Sequence, residues 1–261
     1  MTGSQRPTVK KMNSGFTLVE LAMVLFIVTL LLAGLVPTIT AQLEQQRTSE
    51  TRKLMNEIKE ALIGYAVING QLPCPADPAI ISGQTGAGIK RSTCTTYANS
   101  TGVVPWATLG VSETDGWGNR FTYRVTPEFA DAIILNTFGF DTSQGCSSIF
   151  ACTPPSNPPF SSFALCSCGA YSVNSAATGG VTVTANVPAI IISHGKNGAG
   201  AYTRQGTQLA VGSNLDEKDN SNGAGDSKYV SHAQTSGFDD LVDWITPNIL
   251  YNRMVTAGKL P

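Results

Sequence analysis

Between Phe16 and Pro37 the chain runs for 22 residues with a single ionisable side chain, Glu20. Roughly 20 predominantly apolar residues cross a bilayer as a helix, so this run is long enough for one span. The residues before it hold Arg6, Lys10 and Lys11 and no acid. That basic flank is expected to stay cytoplasmic, which places everything after Pro37 on the far side of the membrane. A cleaved secretory signal needs a small-residue site near Thr40-Ala41, and no A-x-A pattern is there. A plain single-span anchor and a buried core helix are the other ordinary readings, and the length argues against the core helix. None of the three accounts for Glu20. A carboxylate at that depth costs about 3 kcal/mol unless it is paired. Cleavage between Gly15 and Phe16 creates a positive partner, a new α-amino group. Within one chain the pairing geometry is poor, whereas staggered neighbours bring the amine of one chain to Glu20 of the next.

Gly15-Phe16-Thr17-Leu18-Val19-Glu20, after a short basic leader and before an apolar helix, resembles the processing site of type IV prepilins. The resemblance implies that prepilin peptidase cuts after Gly15 and methylates the new N-terminus at Phe16. It also gives Glu20 the role of registering subunits during assembly. Pro37 matches pilins whose helix kinks or melts at the twenty-second mature residue, because proline lacks an N–H and clashes with the preceding turn. The implied partners are the inner membrane, prepilin peptidase and other pilin or pseudopilin subunits in a helical filament, with no nucleic acid required. The implied location is the inner membrane of a Gram-negative bacterium, single-pass with a periplasmic head, and then a pilus or pseudopilus.

Past Pro37 the chain turns polar but keeps helical periodicity. Leu54, Ile58, Ala61, Leu62 and Tyr65 recur at steps of three and four, with Glu and Lys opposite. Asn69-Gly70 followed by Leu72-Pro73 stops the helix. A helix from Phe16 to about Asn69 is roughly 80 Å long at 1.5 Å per residue, a length that suits a filament subunit. Beyond it, short strand-like runs lie among Gly, Pro, Ser, Thr and Asn: Phe121–Val125, Asp131–Phe138, Val181–Thr184 and Ala189–Ser193. Near the end Thr246 is expected to cap a helix that starts at Pro247 and stops before Gly258, with Ile249, Leu250, Met254 and Val255 inward. The fold class is therefore α+β, with a long N-terminal helix on a short antiparallel sheet, disulfide-stapled loops and a C-terminal helix. The expected organisation is a cleaved leader over 1–15, a membrane or filament-core helix over 16–37, an amphipathic helix over 38–69 and a β-rich head over 70–261.

Asp115-Gly116-Trp117-Gly118-Asn119 leads into the aromatic strand at Phe121 and Tyr123, and reads as a tight turn with Trp117 as a packing anchor. It resembles the Asp-Pro-Trp-Gly-Asn turn of type II secretion pseudopilins, with Gly116 in place of Pro. Charged residues make up only 13% of the chain and the net charge is -1, which excludes a basic nucleic-acid binder. From Thr142 to Gly195 there is no Asp, Glu, Lys or Arg, so ion pairs cannot hold that stretch. Cys74, Cys94, Cys146, Cys152, Cys166 and Cys168 all follow the membrane run, and an even count outside the cytoplasm points to disulfides. Cys74 and Cys94, isolated from the rest, are paired first. No C-x-x-C pair or flanking His supports zinc.

Acidic residues gather late, at Asp216, Glu217, Asp219 and Asp226, then Asp239, Asp240 and Asp243. The segment from Asp219 to Asp226 does not satisfy an EF-hand. Major pseudopilins hold calcium in a C-terminal loop, and Ser193–Gly198 running on to Asp239-Asp240 resembles it. That resemblance implies a structural Ca2+ at Asp239 and Asp240. The alternative class is a membrane-anchored extracytoplasmic binding protein or hydrolase with a generic anchor. Ser193-His194 lacks the nucleophile-elbow glycine, Ile191 standing in its place, and neighbouring strand residues point to opposite faces. No enzyme is expected; the expected function is a structural subunit, a minor pilin or a pseudopilin.

Overall fold

The computed structural model describes residues 15–96, 98–130, 163, 165, 167–221 and 227–260; within the first helix, nothing is described of the side chains of 33–38. One helix, α1 (Leu18–Asn69), covers 52 residues. Its helical backbone continues through Pro37, so the helix does not melt there. It ends where expected: Gly70 takes φ +74° and its N–H donates to the Ala66 carbonyl at 2.8 Å, closing the last turn left-handed.

The chain divides into two compact units, Met1–Gln46 and Arg47–Pro261. In the first, every described apolar side chain from Phe16 to Leu32 is exposed. Among the described residues no helix is long and apolar enough to cross a membrane.

The second unit contains, in chain order, the rest of α1, β1 (Thr101–Val103), α2 (Trp106–Leu109), β2 (Thr122–Val125), α3 (Pro127–Ala130), β3 (Tyr171–Asn174), β4 (Thr182–Val187), β5 (Ala189–Ser193), α4 (Leu215–Ser221), β6 (Lys228–Val230), β7 (Leu241–Ile245) and α5 (Pro247–Thr256). An antiparallel four-stranded sheet has the order β1-β2-β5-β7. A three-stranded sheet has the order β4-β3-β6, and its β3–β6 pair is parallel. The four-stranded sheet is the antiparallel one expected from the sequence, and the second sheet, with its parallel pair, adds to it. β3 and β6 carry too few alternating residues to read as strands, and they pair across more than 50 residues of chain.

The two-residue period of the central strands sets the layers. Tyr123 and Val125 of β2, Ala189 and Ile191 of β5, and Leu241 and Ile245 of β7 face α1 and α5. Ile190 and Ile192 point the other way, with Val242 and Trp244, onto Tyr171, Val173 and Tyr229 of the second sheet. On α1 the fully buried line is Thr51, Met55, Ile58, Leu62 and Ala66, a helical progression of threes and fours; Leu54, Ala61 and Tyr65 only flank it. Lys59 Nζ reaches Asp243 Oδ1 of β7 at 2.8 Å and pins the helix to the sheet.

Leu250 and Met254 of α5 are buried, one turn apart. Ile249 and Val255 are exposed, which corrects the expected inward set, since they flank that line on the solvent side. Thr246 stands at the N-cap with extended backbone but makes no side-chain capping bond; Pro247 at the first position has no N–H to be capped. A disulfide joins the buried Cys74 and Cys94, 20 residues apart. Closing a loop of that size stabilises by about 3 kcal/mol through the unfolded chain. Cys168 is disulfide-bonded as well. Cys146, Cys152, Cys166 and the strand expected over Asp131–Phe138 lie outside the described residues.

Truncating Ile58, which is wholly buried against the sheet, removes three methyl or methylene groups from a core that cannot close over them. Ile58→Ala is expected to cost about 2–5 kcal/mol, measured as a fall in the thermal midpoint of the full chain.

Candidate functional site

The peptide bond between Gly15 and Phe16 lies in non-helical backbone just ahead of α1, and the Phe16 ring is 85% exposed. Thr17 and Glu20 close the start of the helix reciprocally. The Thr17 N–H and hydroxyl both donate to Glu20 Oε2 at 3.0 Å, and the Glu20 N–H donates to Thr17 Oγ1 at 3.3 Å. This is a capping box, and its signature, Thr-x-x-Glu, stands in the sequence at Thr17 and Glu20. Glu20 is thus oriented by its own helix while remaining exposed. Pro37 lies farther along the same helix, and its side chain is outside the description.

The turn at Asp115 fastens the head to α1. Asp115 Oδ1 accepts the N–H groups of Trp117 and Asn119, each at 3.0 Å, and Oδ2 accepts the Ser193 hydroxyl at 2.6 Å. Burial raises the carboxyl pKa despite these bonds, which pull it down. The Gly116 N–H donates to Thr51 Oγ1 of α1 at 3.0 Å, a bond that a proline cannot make. A Cβ at Gly116 would also stand 2.8 Å from the Arg47 carbonyl, so glycine lets the turn press against the helix. Gly118 takes φ +89°, and Trp117 packs half-buried against the core.

Ser193 and His194 leave β5 in opposite directions, Ser193 to Asp115 and His194 to Thr122, whose Oγ1 lies 2.9 Å from Nε2. They do not form a nucleophile–base pair. Burial, with the Arg124 charge adding to it, pushes the His194 pKa down to about 4, so the ring is neutral at physiological pH.

Three carboxylates, Glu217 of α4 with Asp239 and Asp240, converge within 4.8 Å of one another. Glu217 and Asp240 are buried and Asp239 is half-buried. Asn197 ties the group together: its N–H donates to Asp239 Oδ2 at 2.9 Å and its amide to Glu217 Oε1 at 2.7 Å. Asn220 donates to Asp240 Oδ2 at 2.8 Å. Oδ1 of Asp239 and Oδ1 of Asp240 are buried with no hydrogen-bond partner among the described residues. Gly195, at φ +56°, leaves the room: a Cβ there would sit 2.6 Å from Asp239 Oδ1. Burial first, and then the neighbouring Glu217 and Asp239 charges, raise the Asp240 pKa well above its usual value. His194 Nδ1 lies 3.8 Å from Asp240 Oδ1. Clustered carboxylates with oxygens that accept no hydrogen bond are the donor set of a hard cation. The sequence shows Glu217 only as one of the late acidic residues, and the packing of α4 alone brings it to Asp239 and Asp240. Asp219 does not join the three, Asp243 is engaged with Lys59, and Asp226 lies outside the described residues.

Among known families, the model of the prokaryotic N-terminal methylation motif matches residues 10–36, covering Gly15, Phe16 and Glu20. The N-terminus is a type IV prepilin-type signal. No curated protein and no solved structure matches the chain. The signal supports a pilin-like or pseudopilin-like subunit, a structural component rather than an enzyme. It implies processing by prepilin peptidase, membrane anchoring and assembly with other subunits.

With Asp115 removed, two backbone N–H groups and the Ser193 hydroxyl lose their acceptor inside the head. Asp115→Ala is expected to destabilise by roughly 2–4 kcal/mol, and Asp115→Asn, which keeps one acceptor oxygen, by less. Thermal melts of both variants check the order.

Proposed function

We propose that this chain is a structural subunit of a type IV filament, a minor pilin or a pseudopilin. Subunits assemble by packing their apolar helices, with the methylated Phe16 amine of one chain against Glu20 of a neighbour. The observation that carries this reading is the sleeve of exposed apolar side chains, Phe16 to Leu32, directly after the cleavage motif. Such a surface has no stable place in water and requires lipid or other helices around it. The Asp115–Asn119 turn favours a pseudopilin, while the large, charge-poor, disulfide-bonded head favours a minor pilin with a surface role. The leader, residues 1–15, stays cytoplasmic, and the head stands in the periplasm before assembly.

Mass spectrometry of the mature protein tests the processing step. A chain beginning at N-methyl-Phe16 is expected; an intact Met1, or a start near Ala41, refutes it. Glu20→Ala is expected to be processed normally yet to be lost from filaments, and its normal incorporation would overturn the pairing.

We further propose that Glu217, Asp239 and Asp240 hold a structural Ca2+. The buried Oδ1 atoms of Asp239 and Asp240, which accept no hydrogen bond among the described residues, support the fit, with His194 Nδ1 3.8 Å from Asp240 Oδ1. When bound, the ion offsets two of the three negative charges and ties α4 to the segment before β7. Without it, the raised Asp240 pKa means that folding favours the protonated acid, so stability falls as pH rises above the ordinary value of 3.8 toward the folded-state value. Calcium is therefore expected to raise the melting temperature at neutral pH, and the rise to vanish in Asp239→Ala/Asp240→Ala and in Glu217→Ala. In chelator at neutral pH, Asp240→Asn is expected to melt above the parent. An absent calcium shift in the parent chain sinks the assignment.

A further inference from the structure

Glu20 carries a charge near the start of a helix whose other residues from Leu18 to Leu32, Thr29 apart, are apolar. The side chain that answers for this charge is Thr17, to which the pairing between neighbours assigns no task. Thr17 stands just ahead of α1, and its carbonyl accepts the Leu21 N–H at 3.1 Å, opening the helical ladder. Glu20 is the third helical residue, so its side chain folds back over the helix start.

The Thr17 hydroxyl donates and accepts at once. It gives its proton to Glu20 Oε2 at 3.0 Å and takes the Glu20 N–H at 3.3 Å, while the Thr17 N–H reaches the same Oε2 at 3.0 Å. Both Thr17 donors therefore land on one carboxylate oxygen. Among the described residues Oε1 receives no hydrogen bond. Thr17 and Glu20 are both exposed, so this pair is held by its own bonds and not by packing.

Cleavage after Gly15 leaves the arrangement intact, because the Thr17 N–H belongs to the Phe16–Thr17 peptide, which stays in the mature chain. A singly methylated α-ammonium group on Phe16 keeps two N–H donors for a neighbouring chain. In an apolar medium a carboxylate needs donors that water no longer supplies. Two come from Thr17, and the positive end of the helix dipole adds to them. A carboxylate fixed in this way also loses less freedom when a partner arrives than a freely rotating one. We propose, resting on the filament reading above, that Thr17 is a positioning residue for assembly: its hydroxyl holds Glu20 Oε2 so that Oε1 is presented to the Phe16 amine of a neighbouring chain. In the single chain Glu20 is paired with Thr17 alone; in the filament the amine adds at Oε1 without displacing it.

Helix capping by itself is separable from this role. Glycine is nearly as good as threonine at the position before a helix, yet it has no hydroxyl to donate. Thr17→Gly, Thr17→Val and Thr17→Ser in the full chain, produced in its own host, make the test. Mass spectrometry reads processing, and the share of protein in sheared filaments against membranes reads incorporation. All three variants are expected to begin at N-methyl-Phe16. Thr17→Ser is expected to incorporate as the parent does, and Thr17→Gly and Thr17→Val about tenfold less or worse, the effect of losing one hydrogen bond to a charged acceptor. Parental incorporation of Thr17→Gly or Thr17→Val, poor incorporation of Thr17→Ser, or loss of processing in both Gly and Val variants overturns the assignment. Glu20→Ala distinguishes this failure from that of the reading beneath it. Its normal incorporation removes the pairing altogether, whereas its loss alongside normal Thr17→Gly and Thr17→Val removes the role of Thr17 alone.

Discussion

The docking of the second half of α1 on one face of the four-stranded sheet organises the head. Ile58 and Leu62 are completely excluded from solvent in one cluster with Tyr123, Ile191 and Ile245. Burial of a side chain of that size contributes about 1.5–3 kcal/mol, so this cluster outweighs any polar contact nearby. The polar contacts fix register instead. Lys59 meets Asp243, and Thr51 receives the Gly116 N–H, so the helix can neither slide nor rotate without stranding buried groups. The same helix runs unbroken from Leu18 to Asn69.

The sheet then separates three kinds of chemistry by side-chain parity. Residues facing α1 are apolar, serve the Asp115 turn, as Ser193 does, or pair with the helix, as Asp243 does with Lys59. Residues on the other face either pack on the second sheet or, over β2, present Thr122 and Arg124 to an open cavity. His194 follows Ser193 at the end of β5, and the two are parted by that alternation. The adjacency that suggested a hydrolase on paper produces two structural hydrogen bonds to different partners.

Much of this was legible in the residue pattern. The cleavage motif, the long helix and its stop at Gly70, the Cys74–Cys94 pairing, β2, β5 and the span of α5 all follow from local chemistry: apolar period, breakers and turn residues. What escaped the sequence depends on distant contacts. β3 and β6 are short and pair in parallel across a long stretch of chain, so neither carries a local signature. Glu217 joins Asp239 and Asp240 only because α4 folds against the segment before β7. Ile249 and Val255 are as apolar as Leu250 and Met254, and only the position of α5 on the core decides which pair is buried.

By itself the sequence determined the end of the molecule that governs its fate: an exposed Gly15–Phe16 bond, Glu20, and an apolar helix that water cannot accommodate. Those are properties of consecutive residues, and nearest-neighbour physics suffices to read them. The tertiary structure alone decided where carboxylates meet in the head, in the cluster of Glu217, Asp239 and Asp240. That cluster joins Glu217 of α4 to Asp239 and Asp240, more than 20 positions on, through Asn197 of a third segment, and their encounter depends on closing loops around a common sheet.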